Sequence, residues 1–304
     1  RVPVLVNERT GQNPWGVRFL RMFDMANDSR LFYFEPGPGR LPLYEAKMFH
    51  QFDHRWATYE DGRIRGVREE HKEDCKFRVL PRYWVEESEL RGRISPDWPY
   101  NWFLVYRDVT NATNERTVIA AVIPAVAAGD KAPIILPQAS PRLIAAMLAN
   151  LNSISLDYVA RQKVGGTALK FFLMKQLPIL PPAWYEPVDL EFIVQRVLEL
   201  TYISRDLEWF AHDLGYYGPP FAWNEERRAQ LRAELDAYYS LLYGLTEEEL
   251  RYILDPQDVY GPDFPGETFR VLKDNEIRRY GEYRTKRLVL EAYDRLAPSF
   301  RQRH

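Results

Sequence analysis

An Asn-Pro turn near the start of the chain is the first candidate for chemistry. Enzymes that methylate an amino group on a flipped base use an Asn-Pro-Pro-aromatic turn, whose polar groups hold the exocyclic amine while the ring stacks on the base. Residues 13–16 read Asn-Pro-Trp-Gly, so the second proline is missing and glycine follows the only aromatic residue. The chain also lacks a glycine-rich strand-turn-helix segment for a nucleotide-like cofactor. The sequence therefore predicts no catalytic residue for methyl transfer and no cofactor bound here.

Two histidines, His50 and His54, have the four-residue spacing by which a helix presents two zinc ligands on one face. In the metalloprotease version of this pattern, a glutamate after the first histidine activates water. This chain has Gln51 at that position, and an amide cannot act as a base. We therefore expect no metal here, and histidines that form hydrogen bonds within a loop or reach a phosphate.

A third pattern combines Asp24 with Glu45 and Lys47, 21 residues further on. It is similar to the acidic pair plus lysine that holds magnesium in many nucleases. Glu-x-Lys matches are frequent by chance, so the pattern alone decides nothing. A magnesium-dependent nuclease remains an alternative interpretation.

Length and composition indicate an ordinary globular chain. Its 304 residues, 46% of them hydrophobic, can bury one large core or build two domains. The longest apolar runs, residues 118–128 and 143–151, are too short to span a membrane, so no membrane partner is expected. The single cysteine, Cys75, excludes an internal disulfide and suits the cytoplasm. The start at arginine predicts a chain cut from a longer polypeptide.

The net charge of −2 argues against binding nucleic acid through bulk charge alone, but the charge is distributed unevenly. Residues 1–185 contain 25 Lys and Arg against 20 Asp and Glu, which is +5. Residues 186–304 contain 16 against 23, which is −7. A polyanion should therefore meet the first part.

Apolar periodicity predicts two regions of different structure. Short apolar runs separated by turn residues over 17–62, and buried runs at 102–106 and 133–136, are typical of strands, while 117–128 fits a strand or a short helix. Residues 61–97 are charged and irregular, which indicates an exposed insertion. We predict an α+β fold, with a mixed α/β domain over residues 1–185 and a mainly helical subdomain over 186–304.

Helix signals are clearest in the second half of the chain. Ser140 and Pro141 begin a helix that should run towards Val164 and stop at Gly165 and Gly166. Longer helical patterns follow over residues 190–210, 225–243, 246–254 and 283–296. We expect these acidic helices to pack as a scaffold.

Three blocks of sequence resemble the target-recognition region of adenine-specific DNA methyltransferases of the type IIG and helicase-linked restriction classes and of related phage-defence methylases. The first, residues 41–55, reads LPLYEAKMFHQFDHR. The second, residues 106–117, reads YRDVTNATNERT and runs into AVIP at 121–124. The third joins LNS at 151–153, DYVARQKVGGT at 157–167 and KQLPILPP at 175–182. LYGLT at 242–246 and YGEYRT at 280–285 are similar to the helical tail of these enzymes.

The resemblance implies a specificity module that binds double-stranded DNA after the methyltransferase core of the same polypeptide. S-adenosylmethionine would bind in that core, outside this chain. The expected role is sequence-specific DNA binding within a restriction–modification or phage-defence system. A protein-interaction module that docks subunits of a defence complex through the acidic helices is the other alternative.

The residue types in these blocks suit contacts with DNA. Arg can bind guanine and Asn can bind adenine through paired hydrogen bonds, Thr suits phosphates, and glycine lets backbone amides approach a phosphate. The predicted DNA-binding residues are Lys47, His50, His54, Arg55, Arg107, Asn111, Thr113, Asn114, Arg116, Thr117, Arg161, Lys163, Gly165, Gly166, Thr167 and Lys170. The alternative interpretation is that the arginines pair with nearby carboxylates, that Asn and Thr build turns, and that the lysines are solvated.

Overall fold

The computed structural model describes residues 2–266 and 268–303. Arg1, where the predicted internal start falls, lies outside the described residues. About 43% of the structure is helix and 14% is strand, in several small sheets. The predicted α+β class is confirmed.

The strands form one central sheet and two smaller ones. They are β1 (Arg18–Leu20), β2 (Arg40–Tyr44), β3 (Ala57–Glu60), β4 (Arg63–Gly66), β5 (Trp84–Glu86), β6 (Trp102–Tyr106), β7 (Ala120–Pro124), β8 (Ala127–Ala128) and β9 (Ile134–Leu136). The central sheet has the order β1-β9-β6-β7 and is antiparallel throughout. The others have the order β5-β2-β8, with β2 and β8 parallel, and the antiparallel pair β3-β4.

Helices surround one side of the central sheet and make up most of the second half of the chain. They are α1 (Glu69–Glu73), α2 (Glu87–Arg91), α3 (Pro141–Asn152), α4 (Ile154–Lys163), α5 (Phe171–Lys175), α6 (Pro187–Thr201), α7 (Glu208–Asp213), α8 (Glu225–Leu242), α9 (Glu247–Leu254), α10 (Gln257–Tyr260), α11 (Arg270–Tyr280) and α12 (Arg284–Arg301). The helices α6, α8, α9 and α12 match the predicted helical patterns in outline, although the pattern over 190–210 is divided between α6 and α7. The helix α11 was not predicted, because its sequence is strongly polar and only Leu272 is buried within it.

The strand β6 lies between two hydrophobic cores. Trp102 and Leu104 belong to the core that continues into the helices, while Phe103 and Val105 belong to the core beneath the smaller sheets. Successive residues of a strand point to opposite faces, so a strand covered on both faces is apolar at every position. The central sheet thus separates a helical layer from a layer of small sheets.

The helix predicted from Ser140 towards Val164 is divided in two at Ser153. That residue has an extended backbone, and its hydroxyl accepts a hydrogen bond from the Leu156 amide, which caps α4. The axes of α3 and α4 differ by 59°. Within the described residues no single helix is long and apolar enough to cross a membrane, and α3 and α4 meet those criteria only when taken together.

Residues 61–97 are not the exposed insertion that their charge pattern indicated. They supply β4, α1, β5 and α2, and Val79, Val85 and Leu90 are buried in the second core. The apolar runs here, such as residues 79–80 and 83–85, are only two or three residues long and lie among charged residues, so they show no helical or strand period. Even Lys72 is buried, and its charge is compensated inside the protein.

One hydrophobic core extends across residue 186, where a domain boundary was expected. It contains Leu148 and Leu151 of α3 together with Val197 of α6 and Leu235 of α8. Helix α12 packs along α8, and α6 packs on α3. The division into a domain of residues 1–185 and a subdomain of 186–304 stays a prediction.

Candidate functional site

Arg55, predicted to contact DNA, is fully buried and holds the segment that follows β4. Its guanidinium donates hydrogen bonds of 2.7–3.4 Å to five backbone carbonyl oxygens, those of His71, Lys72, Asp74, Phe77 and Ile203. A guanidinium enclosed by carbonyl groups cannot reach a phosphate. The prediction for Arg55 was wrong because a buried chain segment without regular structure needs a donor for its carbonyl groups.

His54 is also buried, so its predicted DNA contact was wrong as well. Its Nε2 lies 2.9 Å from Oδ1 of Asp206, which ties the 50–55 loop to the segment before α7. Burial alone would raise the pKa of Asp206, but the adjacent His54 ring holds it down at about 2. Among residues 2–266 and 268–303 no group of three or more side chains could ligate a metal ion.

Lys47 is the most accessible member of the first predicted cluster. Its side chain is half exposed, and Nζ lies 3.6 Å from Oε2 of Glu45 and 5.3 Å from the centre of the Tyr59 ring. The contact with Tyr59, and to a smaller extent that with Glu45, raises the pKa of Lys47. Lys47 therefore remains a charged group at the surface, available to a phosphate only in competition with Glu45.

The carboxylates of the proposed nuclease site are engaged in separate local structures. Asp24 accepts hydrogen bonds from the amides of Asn27 and Ala26, at 2.9 and 3.0 Å, and these bonds lower its pKa. Glu45 accepts a 2.6 Å hydrogen bond from the hydroxyl of Tyr59. The magnesium hypothesis gains no support from this geometry.

The two arginines of the second block bind protein groups. Nε of Arg107 donates a 2.9 Å hydrogen bond to the carbonyl oxygen of Phe49, and burial lowers the pKa of this arginine to about 10. Arg116 is 8% exposed, and its Nη2 lies 3.0 Å from Oδ2 of Asp236 in α8. Arg116 thus pairs with a carboxylate inside the protein, as the alternative interpretation expected. The carboxylate is that of the distant Asp236 and not of the neighbouring Glu115.

The tip of the 111–117 loop is exposed while its base is buried. Oδ1 of Asn111 accepts 2.8 Å hydrogen bonds from the amide and the hydroxyl of Thr113, which builds the turn. Thr117 is buried and donates its hydroxyl proton to the Asn111 carbonyl, so it is not a DNA contact. Thr113 and Asn114 are exposed, and the Asn114 side chain has no hydrogen bond to any described residue. Only this tip presents polar groups outward.

Arg161 anchors this loop from below. It is 8% exposed, lies over the Phe269 ring at 4.2 Å, and its Nε is 2.9 Å from Oδ2 of Asp157. It donates further hydrogen bonds of 2.7–2.8 Å to the carbonyl oxygens of Ala112, Asn114, Glu115 and Thr268. Its predicted DNA contact was wrong, because its guanidinium is buried and its donors are used within the protein, three of them on carbonyl oxygens of the loop.

The rest of the third cluster lies beside the loop at the surface. Gly165, Gly166 and Thr167 are exposed, and the carbonyl of Thr167 accepts a 3.1 Å hydrogen bond from the Thr110 amide. Lys170 Nζ lies 2.6 Å from Oδ2 of Asp108. Lys163 is half-buried and, within the part of the chain that the structure describes, has no ion pair. Lys163 is therefore the cation of this cluster that is free to meet an anion.

The three sequence blocks converge on the base of the 111–117 loop. Gln51 of the first block donates hydrogen bonds to the carbonyl oxygens of Val118 and Asn152, at 2.9 and 3.3 Å. Asp157 of the third block accepts hydrogen bonds from the amides of Thr117 and Val118, at 2.8 and 2.6 Å. Buried polar groups that are fully hydrogen-bonded specify one arrangement of the backbone. The blocks thus fix the loop in place.

A polar cleft of about 410 Å³ opens beside the base of this loop. One wall is formed by the segment that contains His50, Trp56 and Lys72, together with Glu115 and Arg116. The other wall comes from Trp223 and the helices α8 and α11, which contribute Arg228, Arg232, Arg279 and Tyr280. The cleft therefore lies between the sheet-containing part of the chain and the helical tail.

Two cations in the cleft differ in how they are compensated. Nζ of Lys72 lies 2.6 Å from Oδ2 of Asp53 and between the rings of Trp56 and Trp223, at 5.0 and 4.1 Å. Arg228 is 3% exposed and donates one hydrogen bond, of 2.6 Å, to the carbonyl oxygen of Leu200. Its Nε and Nη2 have no partner among the described residues, and burial lowers its pKa to about 10.

His50, at the edge of the cleft, predicts a loss of stability in mild acid. Burial, followed by the charges of Arg107 and Arg232, lowers its pKa to about 3, whereas the unfolded chain binds this proton near pH 6.5. Between these values the unfolded state binds more protons, so the free energy of unfolding falls as the pH drops from 6.5 towards 3, by up to about 1.4 kcal/mol per pH unit. We expect His50→Phe, which keeps a ring against Trp56, to lose less stability than the wild type between pH 7 and 4.5.

Urea unfolding at pH 7, 5.5 and 4.5 measures this difference. Comparing each protein with itself at pH 7 removes any effect of the substitution on packing. All other titratable groups are common to the two proteins, so their contributions cancel when the two decreases are compared. Parallel decreases for the two proteins would show that His50 is not the responsible group.

Comparison of the sequence with models of protein families and with curated proteins finds no match. The resemblance of the three blocks therefore remains the argument for a family.

The cleft residues of the helical tail were missed by the sequence analysis. Trp223, Arg228 and Arg279 lie in a region of net charge −7 that was interpreted as a packing scaffold. One feature of the sequence could have indicated this part of the cleft. Arg228 and Arg232 are four residues apart and thus share a face of α8, with Trp223 just before its start.

Proposed function

We propose that this chain binds double-stranded DNA as the target-recognition part of an adenine-specific DNA methyltransferase of a restriction–modification or phage-defence system. The methyltransferase core, with its S-adenosylmethionine, would belong to the same polypeptide outside this chain. The cytoplasm is the expected compartment. The role of the chain itself is binding, since residues 13–16 serve a structural turn: Asn13 hydrogen-bonds both backbone groups of Val17, and Trp15 is 1% exposed.

The observation that supports this proposal best is the convergence of the three blocks on one loop. Arg161 and Asp157 hold the backbone of residues 112–118 from inside, and the tip with Thr113 and Asn114 projects outward. Side chains that read base edges must be held in a fixed position, and exposed loops on a rigid scaffold provide this. Asn can bind adenine through its amide in the major groove.

The surroundings of the loop suit phosphate contacts. Lys163 lies at the end of α4, two residues after the loop anchor Arg161, and Lys47 is half exposed in the first block. Phosphate contacts position a protein on the duplex, while base contacts select the sequence. We therefore assign Lys163 and Lys47 to phosphates and Asn114 to a base edge. His50, Arg107, Asn111, Gly165, Gly166, Thr167 and Lys170 stay predicted contacts that the geometry leaves possible.

Removing the charge of Lys163 is expected to reduce the salt dependence of DNA binding. Each lysine that neutralises a phosphate releases counterions, so the slope of log K against log salt for duplex DNA should become less steep by about one unit in Lys163→Gln. The measurement is fluorescence anisotropy of a labelled duplex at several salt concentrations.

Arg301→Gln is the matched control, because Arg301 is an exposed cation at the end of the last helix. Its slope should equal that of the wild type. If Lys163→Gln keeps the wild-type slope, Lys163 does not bind a phosphate. If the wild type shows no salt-dependent binding to DNA, a protein-interaction module becomes the better interpretation.

A further inference from the structure

We propose that the polar cleft binds one nucleotide unit, with its phosphate at Arg228 and Arg279 and its base against Trp56. The unit is either a free nucleotide or an unpaired nucleotide of a DNA strand, which present the same chemistry. In the second case the inference rests on the proposed function, because the strand would belong to the DNA that the 111–117 loop contacts. The cleft is a separate site from the tip of that loop.

The size of the cleft fits a ligand of this kind. Its volume of about 410 Å³ lies within the range of roughly 300–1,000 Å³ that small-molecule pockets occupy. A DNA duplex is too wide to enter it, whereas a single nucleotide is not.

Guanidinium groups of the cleft that have no ion-pair or hydrogen-bond partner favour a ligand with an anionic group. Arg228 is almost completely buried and lies over the Trp223 ring at 4.0 Å. Over residues 2–266 and 268–303 it has no carboxylate within ion-pair distance, and its Nε and Nη2 have no hydrogen-bond acceptor. Nη1 of Arg116 also lacks a partner there. Buried donors without acceptors are unfavourable, so a phosphate that accepts from these groups would be favoured. Arg279 adds an exposed positive charge at the rim.

In the described part of the chain, none of the carboxylates that line the cleft lies within ion-pair distance of Arg228 or Arg279. Asp53 is paired with Lys72, and Glu225 is paired with Arg232 at 3.2 Å. Glu276 accepts hydrogen bonds from the amide and hydroxyl of Thr285, Glu115 is bonded to Asn275, and Glu69 is exposed, so these three carboxylates keep their negative charge. Among the cations that line the cleft, Arg228 and Arg279 are those without an ion-pair partner in the described part of the chain.

Trp56 provides the surface for a base. Its side chain is 43% exposed, its ring centre lies 4.5 Å from that of His50, and Nζ of Lys72 lies over its ring at 5.0 Å. Exposed aromatic rings bind unpaired bases by stacking, with little dependence on base type. A phosphate site next to such a ring selects a nucleotide over a simple anion.

The test uses the full chain and four probes: inorganic phosphate, adenosine, adenosine 5′-monophosphate and a short single-stranded oligonucleotide. Binding is followed by tryptophan fluorescence and by calorimetry. Arg279→Gln and Trp56→Leu change exposed side chains, so they test the site even where Arg228→Gln fails to fold. The matched controls are Arg301→Gln, an exposed arginine at the end of α12 outside the cleft, and Trp209→Leu, an exposed tryptophan on α7.

We expect adenosine 5′-monophosphate to bind more tightly than phosphate or adenosine alone. Arg279→Gln and Trp56→Leu should each weaken its binding by about tenfold, because each removes one charge-assisted or stacking contact. The two control variants should bind as the wild type does. Tighter binding of the oligonucleotide, with competition against the mononucleotide, would identify a DNA strand as the source. If the oligonucleotide does not compete with adenosine 5′-monophosphate, the ligand of the cleft is a free nucleotide.

The proposal is overturned if none of the probes binds at millimolar concentration. It is also overturned if the cleft variants bind as tightly as the controls. Duplex binding, measured on the same variants, separates this inference from the proposed function. Normal duplex binding by a protein that binds no nucleotide in the cleft would overturn the inference alone.

Discussion

Replacing Arg55 with methionine is expected to lower the free energy of unfolding by about 3–5 kcal/mol, because several buried carbonyl groups would each lose a hydrogen bond to a charged donor, worth about 1.5–3 kcal/mol. The guanidinium is the donor for five backbone carbonyl groups in segments that have little regular structure of their own. Methionine fills a similar volume but donates no hydrogen bond, so these carbonyl groups would be buried without partners. Urea unfolding at pH 7 measures the change.

Arg65→Met is the matched control for Arg55, because the Arg65 side chain is 57% exposed on β4 and pairs only with Glu60. We expect it to change stability by less than about 0.5 kcal/mol. The two variants also distinguish a structural role of Arg55 from the DNA contact that the sequence predicted for it. Weaker DNA binding by Arg55→Met with unchanged stability would contradict the burial of this side chain.

Replacing Arg161 with methionine is expected to cost about 3 kcal/mol and to release the 111–117 loop. The change leaves Asp157 as a buried carboxylate without its cationic partner and leaves four carbonyl oxygens without their donor. Limited proteolysis should then cut within residues 111–117, and DNA binding should weaken although no DNA contact has been removed. Urea unfolding gives the change in stability.

Arg142→Met is the control for Arg161, since Arg142 forms an exposed ion pair with Glu191 on α6. It should neither open the loop nor change DNA binding. A double-mutant cycle with Asp157→Asn should show coupling between the two sites of the buried pair, of roughly 0.5–3 kcal/mol. A loop that resists proteolysis in Arg161→Met would contradict the anchoring role.

Much of the fold was predictable where a single local rule applies. The apolar run of β6 follows from burial on both faces, and the capping box at Thr246 marks the start of α9. The break at Ser153 was not predictable from periodicity, because apolar residues continue through it. It depends on the hydroxyl cap of α4 and on tertiary contacts such as the 2.7 Å hydrogen bond from the Ile154 amide to Asp236.

The sequence indicated which segments come together at the candidate site, but not which of their side chains are buried. The blocks did mark the loops that meet at one place, but charged residues were assumed to face solvent. Arg55, Arg116 and Arg161 are instead among the buried groups, each with an acceptor that lies in another part of the chain. Sequence spacing contains no information on such distant partners. The same limit hid Arg228, whose place in the cleft depends on how the helical tail packs against residues 50–72.

Selection from a pool of random-sequence duplexes tests the DNA-reading role most directly. The chain is incubated with the pool, bound duplexes are recovered and sequenced, and Asn114→Ala is treated in parallel with the control Arg301→Gln. We predict that the wild type and Arg301→Gln enrich the same motif, and that Asn114→Ala relaxes one position of it, a discrimination worth about 1–3 kcal/mol. Recovery of duplexes without any common motif by the wild type would contradict target recognition by this chain.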